Sequence, residues 1–162
     1  MIYITLGTQA CDFTRCMKMV EELIRKVGIK DKIVAQTGYT SYKPEGIECF
    51  DFVPEDKYQQ FMTEADVVIS HAGTGALFSS IKKGKKVIAV ARLAKYGEMV
   101  NDHQTEIVHK LAGEGYILDG THSIVDAWNK LEGFTPRVCD FECTISNRIE
   151  ELLIGWGIQE RK

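Results

Sequence analysis

The sequence predicts an α/β fold in which helices cover both faces of a parallel sheet. Short apolar runs alternate along the chain with segments of helical periodicity, the pattern produced by strands joined through crossover helices. Three runs (2–6, 67–69 and 87–90) are continuously apolar, which is typical of strands buried on both faces. The 162 residues, 44% of them hydrophobic, are enough for one domain with a hydrophobic core. We therefore predict a single domain over residues 1–162.

The predicted elements follow in regular order. Strands are expected at residues 2–6, 32–36, within 47–53, 66–70, 86–91 and 116–118. Helices are expected at residues 13–27, 54–64, about 75–83, about 102–112 and 123–131, with an amphipathic C-terminal helix within 142–158. Gly28 stands where glycine commonly ends a helix, and Pro54 suits the first turn of the next one. Because ligands bind at the carboxyl ends of parallel strands, the loops 7–9, 71–75 and 92–104 should share the functional edge of the sheet.

Composition excludes several classes of protein. The net charge of −3 argues against nucleic acid as a partner. No apolar run approaches the roughly 20 residues that span a bilayer, and strand-like sequence begins at once, so we expect a cytoplasmic protein. The five cysteines are odd in number and form no CxxC motif, which favours free thiols. His103 and His109 are six residues apart and do not share a helix face, so no metal site is expected.

The stretch His71-Ala72-Gly73-Thr74-Gly75 stands where a strand turns into a helix. Glycines there let a ligand approach the backbone, and the start of a helix offers free N–H groups to an anion such as a diphosphate. The alternative is that the glycines only permit a tight turn. His71 could bond a phosphate or a sugar hydroxyl, or could be a structural hydrogen-bonding group. GxxxxGK[ST] is absent and the first turn is not GxGxxG, so neither a P-loop nor a standard dinucleotide site is indicated.

Two further polar segments each allow two interpretations. The loop "RLAKYGEMVNDHQTEI" (92–107) could hold a polyhydroxylated ligand, although Asn101 with Gln104 also resembles a capping box. The lysine patch at positions 82, 83, 85 and 86 could meet a membrane surface. We favour helix capping there, with Gly84 at the C′ position.

The segments "VVISHAGTG", "GKKVIAVARL", "YGE" and "NDHQTEI", with the opening "MIYITLGTQ", resemble the C-terminal, donor-binding half of family 28 glycosyltransferases over residues 1 to about 120. The likeness extends to the small cytosolic subunit of the two-subunit UDP-N-acetylglucosamine transferase of dolichol-linked oligosaccharide synthesis, and to its bacterial exopolysaccharide counterparts. The resemblance implies one Rossmann-like half of a GT-B glycosyltransferase. Such a domain binds a UDP-sugar without a metal or another cofactor.

The resemblance also implies roles for individual residues. A diphosphate would contact Gly7, Thr8, Gly73, Thr74 and Gly75. The backbone of Phe52 and Val53 would hold uracil, and the donor sugar would meet Glu98, Asp102, His103 and Gln104, with Gln104 the foremost hydroxyl contact. Larger relatives hold the ribose with a glutamate in the helix after the glycine turn, where this chain has Ser79. Candidates for a catalytic base by chemistry alone are His71 and His103, but the family pattern places the base in a partner.

The function implied is inverting transfer of a sugar from UDP to a lipid-linked acceptor in exopolysaccharide or glycan biosynthesis. Because the chain lacks an acceptor domain, it should need a membrane-associated partner subunit, which would recruit it to the inner face of the membrane. Partner docking is expected on an apolar stripe of the C-terminal helix: Ile149, Leu152, Leu153 and Trp156. The alternatives are a non-catalytic accessory subunit that stabilises a glycosyltransferase partner, or another nucleotide-binding enzyme of Rossmann type.

Overall fold

The computed structural model describes residues 1–137, in which six strands form one parallel sheet. The strands are β1 Ile2–Thr5, β2 Ile33–Gln36, β3 Glu48–Phe50, β4 Val67–Ser70, β5 Lys86–Ala89 and β6 Leu118–Asp119. Their order is β3-β2-β1-β4-β5-β6, and every neighbouring pair is parallel. The chain builds one side of the sheet from β1 outward to β3 and the other side from β4 outward to β6. The strand order therefore reverses between β1 and β4, which is where open α/β sheets bind their ligands.

Helices cover both faces of the sheet, as predicted. They are α1 Thr14–Val27, α2 Glu55–Glu64, α3 Thr74–Lys82, α4 His103–Gly113 and α5 Ile124–Trp128, with a 3₁₀ helix at Ala94–Tyr96. The helices α1 and α5 pack against one face, while α2, α3 and α4 pack against the other. No helix among residues 1–137 is both long and apolar enough to cross a membrane.

The hydrophobic core has one layer on each side of the sheet, because successive strand residues point to opposite faces. Ile4 lies in the layer under α1, and its neighbour Tyr3 lies in the layer under α2. All residues of β1 and β2 are buried, which confirms that the continuous apolar run of β1 marks a strand covered on both faces. At the end of α1, Gly28 adopts a left-handed φ of 70° and donates its N–H to Ile24, as a C-terminal glycine is expected to do.

The lysine-rich turn after α3 is a capping structure. Lys83 is the C-cap residue, and Gly84 follows with φ +65° in the predicted C′ position. Lys85 donates from Nζ to the Thr63 carbonyl at 2.6 Å, in the last turn of α2, and Lys86 donates to the Leu131 carbonyl at 2.7 Å. Lys85 therefore binds a carbonyl at the end of α2, where positive charge is favourable, and Lys86 binds a carbonyl in the segment after α5.

Several elements differ from prediction, among them β5, which ends at Ala89 and not at residue 91. The strand expected at 116–118 is β6, which is two residues long and extends to Asp119. The apolar residue Ile117 suggested an earlier start, but it packs in the core before the strand begins. The helix expected at 123–131 is limited to α5, and the loop after Arg92 contains a 3₁₀ helix that periodicity does not reveal. The predicted C-terminal helix and its docking stripe lie outside the described residues. Within them, the cysteines at 11, 16 and 49 are free thiols, as expected.

Candidate functional site

A cavity of about 350 Å³ lies at the carboxyl edge of the sheet, beside the reversal point between β1 and β4. Its lining includes Gly7 and Thr8 of the first turn, and His71, Gly73, Thr74 and Gly75 of the turn between β4 and α3. The structure thus brings together all five residues that the resemblance assigns to a diphosphate. A wider cavity of about 720 Å³ lies at the opposite, amino edge of β4 and β5, away from the edge where parallel sheets bind ligands.

The turn between β4 and α3 leaves the start of a helix without a side-chain cap. Ala72 adopts a left-handed φ of 63°, which turns the chain sharply, and Gly73 is the N-cap residue with no side chain to accept from the first N–H groups. Thr74, Gly75 and Ala76 open α3 and line the cavity. The first N–H groups of a helix have no intrahelical acceptor and carry the positive end of its dipole. This wall of the cavity is therefore suited to an anion.

His71 sits between the two glycine-bearing turns. Its Nδ1 lies 3.1 Å from the Thr5 carbonyl, which can only accept, so Nδ1 carries the proton and Nε2 carries a lone pair. A Cβ on either Gly7 or Gly73 would overlap the imidazole ring around Nε2. Burial lowers the pKa of His71 to about 4, opposed by the Thr5 hydrogen bond and assisted by the positive charge of Arg92. At neutral pH, His71 is a neutral imidazole, and both glycines make room for its ring.

The cavity lining also includes residues that sequence reasoning did not select. Gln36 ends β2 and is 6% exposed, while Glu55 and Tyr58 belong to the first turn of α2. Val53 also lines the cavity, as the uracil assignment requires, and its N–H donates to Gln36 Oε1 at 3.3 Å. Phe52 is 48% exposed and packs against Tyr39, with ring centroids 5.4 Å apart, outside the cavity lining. The sequence did offer a signal for Gln36, which ends a predicted strand, and for Glu55, which lies at the start of a predicted helix.

The charged loop after β5 does not reach this cavity. Glu98 is 4% exposed and accepts from Arg15 at 2.8 and 2.9 Å and from the Leu93 N–H at 2.9 Å. Gln104 is 8% exposed and accepts from the Arg92 N–H at 2.9 Å. None of the four residues assigned to the donor sugar lines the cavity, and Ser79, assigned to the ribose, does not line it either. These assignments remain predictions.

The predicted capping box at the start of α4 is wrong. The N-cap residue is Asp102, not Asn101, and its side chain accepts from the Ala94 N–H at 2.8 Å. Asn101 accepts from the His103 N–H at 3.3 Å, and Gln104 turns away from its own helix to Arg92. The capping pattern failed because a buried backbone N–H in the preceding loop offers Gln104 a different hydrogen bond.

Arg92 is a buried cation that connects two loops of the functional edge. It is 1% exposed, and its guanidinium donates to the Leu6 carbonyl at 2.9 Å and the Cys11 carbonyl at 3.1 Å. The guanidinium carbon lies 4.7 Å from the centroid of the Phe13 ring. Burial lowers the pKa of Arg92 below its usual value. Arg92 therefore fixes both ends of the first turn against the loop after β5. Among residues 1–137, no group of three or more His, Cys, Asp or Glu side chains is arranged to hold a metal ion.

Comparison with known proteins gives a family match over most of the chain. The glycosyltransferase family 28 C-terminal domain matches residues 1–132. UDP-N-acetylglucosamine transferase subunit ALG13 of Homo sapiens is 27% identical over 124 residues, covering 72% of this chain and 10% of that protein. The subunit of the same name from Candida glabrata is 32% identical over 91 residues, covering 56% of this chain and 42% of that protein. The chain thus corresponds to less than half of these curated relatives.

Solved structures show the same fold. An NMR solution structure of ALG13 superposes with a TM-score of 0.59 at 18% identity and covers 94% of both chains. The glycotransferase of kitacinnamycin superposes with a TM-score of 0.56 at 16% identity, covering 93% of this chain and 37% of that one. The α/β fold class is confirmed, as one Rossmann-like half of the kind that GT-B glycosyltransferases contain.

Proposed function

The chain belongs to the glycosyltransferase family 28 C-terminal domain family, and on that basis we propose that it is the donor-binding subunit of a two-component inverting glycosyltransferase. It binds a UDP-sugar, and the sugar is transferred to a lipid-linked acceptor in exopolysaccharide or glycan biosynthesis. The observation that carries this proposal is the uncapped start of α3, which lines a cavity of about 350 Å³ together with the first turn.

The geometry of this cavity suits the diphosphate of a UDP-sugar. Thr74, Gly75 and Ala76, whose N–H groups open α3, line the cavity together with Gly7 and Thr8 of the first turn. In sugar transfer, negative charge develops on the departing diphosphate. Fixed N–H donors and the positive end of a helix dipole stabilise that charge without reorganising during the reaction.

The uridine part of the proposal is supported by the relatives. ALG13 from Homo sapiens and from Candida glabrata is named as a subunit of a UDP-N-acetylglucosamine transferase. The identity of the sugar transferred by the present chain stays open among UDP-sugars, because its donor-sugar assignments lie outside the described cavity.

The catalytic base is proposed to come from a partner subunit. A general base works best when its pKa lies near the working pH, whereas burial lowers the pKa of His71 to about 4. His103 is exposed and lies outside the cavity lining. Neither candidate fits the role. A membrane-associated partner would supply the base and the acceptor site, and would hold this cytoplasmic chain at the inner face of the membrane.

Calorimetric titration of the purified chain with UDP, uridine and NAD tests the donor site, with EDTA in every sample. We expect UDP to bind, uridine to bind much more weakly because it lacks the diphosphate, and NAD not to bind. Equal binding of UDP and uridine would contradict a diphosphate site at α3. Binding of NAD in preference to UDP would favour another Rossmann-type enzyme.

A transfer assay tests dependence on a partner. The purified chain is incubated with a radiolabelled UDP-sugar and a lipid-linked acceptor, with and without membranes from the cells that produce it. Transfer that requires both membranes and the chain supports a two-component enzyme. Transfer by the chain alone refutes the partner, and UDP binding without a contribution to transfer would favour an accessory subunit.

A further inference from the structure

Arg92 is a positive charge that the protein buries without an ion-pair partner. Its side chain is buried, and the ion pairs formed by residues 1–137 do not include it. Its Nε has no hydrogen-bond acceptor in that part of the chain. Burying a cation in this way is costly, because neutral carbonyl groups replace only part of the hydration that the charge loses. An anionic ligand nearby would compensate the charge.

The two acidic residues whose charge acts on Arg92 do not cancel it. Glu98 forms its ion pair with Arg15, which donates to both carboxylate oxygens at 2.8 and 2.9 Å, whereas Arg92 reaches only the Glu98 backbone carbonyl, at 3.5 Å. Asp12 is exposed, so water screens its charge, and it accepts from two backbone N–H groups at 3.0 Å. The largely buried group of Arg15, Arg92 and Glu98 therefore holds two cations and one anion, a net charge of +1.

Arg92 is connected to the cavity at the carboxyl edge through a single peptide group. Its Nη2 donates to the Leu6 carbonyl at 2.9 Å, and that carbonyl shares a peptide group with the N–H of Gly7. Gly7 lines the cavity, and its N–H donates to no acceptor within residues 1–137. A cation that binds a carbonyl polarises the N–H of the same peptide group and makes it a stronger donor. Arg92 itself does not line the cavity, so it acts on a ligand without touching it.

The charge of Arg92 also acts on His71, which lines the same cavity. Burial first, and the positive charge of Arg92 in addition, lower the pKa of His71 to about 4. Charges inside a protein are screened less than charges in water, so their interaction extends further. The charge that disfavours a protonated His71 therefore favours a diphosphate at the same place.

We propose that Arg92 is the buried counter-charge of the bound diphosphate, which it stabilises through the Gly7 N–H and at a distance, without contacting the ligand. This inference rests on the proposed UDP-sugar function. The start of α3 supplies only a partial positive charge, of about half an elementary charge, and Arg92 adds a full one. The same charge would stabilise the departing UDP during transfer, because negative charge develops on its diphosphate.

The test measures Kd by calorimetric titration with UDP and with UMP, which has one phosphate fewer and a smaller negative charge. Arg92→Gln removes the positive charge, whereas Arg92→Lys keeps the charge but loses the planar arrangement of donors. Lys95→Gln is the matched control, because Lys95 is an exposed cation in the same loop and does not line the cavity.

We expect Arg92→Gln to weaken UDP binding roughly tenfold and UMP binding roughly threefold, because the interaction with a buried charge grows with the charge of the ligand. Arg92→Lys should bind UDP within about threefold of the wild type. Lys95→Gln should bind UDP as the wild type does, because water screens an exposed charge. Equal losses in Arg92→Gln and Arg92→Lys, or equal losses for UDP and UMP, would overturn the proposal, because they show that Arg92 acts only by holding the first turn.

Glu98→Gln gives a second test, in which Arg92 stays in place. The change removes the negative charge of the buried group, while the remaining side-chain oxygen can still accept from the Leu93 N–H. The proposal predicts that this variant binds UDP at least about threefold more tightly, because the buried net positive charge rises. Unchanged or weaker binding of UDP contradicts the proposal, and this result decides the question if Arg92→Gln does not fold.

The wild type separates this inference from the proposed function. If it binds UDP but the variants show no dependence on charge, the inference is wrong and the UDP-sugar function stands. If it does not bind UDP, the UDP-sugar function itself fails, and the inference fails with it.

Discussion

Replacing Gly75 with alanine should stabilise the protein and weaken nucleotide binding at the same time. Gly75 lies in the first turn of α3, and its φ is not in the left-handed region. A Cβ added there would meet no atom within 4 Å, so alanine fits without strain. The same residue lines the cavity, so the new methyl group would occupy space that a diphosphate needs in order to reach the N–H groups.

The two effects have predictable sizes. Alanine stabilises a helix by roughly 0.5–1 kcal/mol relative to glycine, because glycine loses more backbone entropy on folding. In a protein of this length, about 1 kcal/mol raises the melting temperature by roughly 2–4 °C. Displacing the diphosphate by the width of a methyl group should cost one charge-assisted hydrogen bond of about 1.5–3 kcal/mol. The Kd for UDP should therefore rise roughly ten- to a hundredfold.

Thermal unfolding of the free protein and calorimetric titration with UDP measure these effects separately. Gly113→Ala is the matched control, since Gly113 ends α4, a Cβ there also meets no atom within 4 Å, and the residue does not line the cavity. The control should leave UDP affinity unchanged. Unchanged UDP affinity in Gly75→Ala would refute the placement of the diphosphate, and a lower melting temperature would refute the structural reasoning.

Three further predictions concern the residues around the cavity. Gly73→Ala should lower the melting temperature, unlike Gly75→Ala, because its methyl group overlaps the His71 ring; an unchanged value in thermal unfolding would contradict that overlap. Stability should fall as the pH falls through the range from about 6.5 to 4, because the unfolded chain takes up the His71 proton at a higher pH than the folded protein does. In urea unfolding, the free energy of unfolding should be about 2 kcal/mol lower at pH 5 than at pH 7.5. If the His71→Asn variant loses the same amount over this pH range, other groups cause the loss. Arg92→Lys should lower the free energy of unfolding by roughly 1–3 kcal/mol, since lysine cannot donate to the Leu6 and Cys11 carbonyls in the same geometry; equal urea midpoints would show that these bonds contribute little.

Local sequence patterns predicted most of the fold, because the forces that form its elements act over a few residues. The run at 2–6 is apolar without alternation, and β1 is buried on both faces. Gly28 ends α1 in the left-handed conformation that its position predicted. The predicted bounds of β6 were wrong because Ile117, a core residue, stands directly before this two-residue strand. Apolar character alone does not show at which residue a strand begins to pair with its neighbour.

At the glycine turn, the sequence offered two interpretations, and the structure supports parts of both. The glycines are needed for packing, because Gly7 and Gly73 accommodate the His71 ring. They also leave the start of α3 without a side-chain cap, which is the feature that an anion requires. The packing role was not visible in the sequence, because Gly7 and His71 meet only after β1 and β4 pair side by side.

The place of Gln36, Glu55 and Tyr58 in the cavity lining could not be predicted for a similar reason. Each of these residues has an ordinary local explanation, such as an acidic side chain in the first turn of a helix. Their shared position depends on the strand order, which places the ends of β2 and β3 beside the first turn after β1. Sequence periodicity identifies strands but does not give their order.

The polar loop after β5 has a composition that suggests a ligand site, but its buried polar side chains hold the backbone of the loop in place. Glu98 and Gln104 accept from the N–H groups of Leu93 and Arg92, which would otherwise be buried without acceptors. Arg92, oriented in this way, donates to the carbonyls at both ends of the first turn. A change at Glu98 would therefore reach the cavity through the position of Gly7 and Thr8, whether or not Glu98 touches a sugar. Loss of nucleotide binding in a Glu98 variant consequently identifies a ligand contact only if the first turn has kept its position.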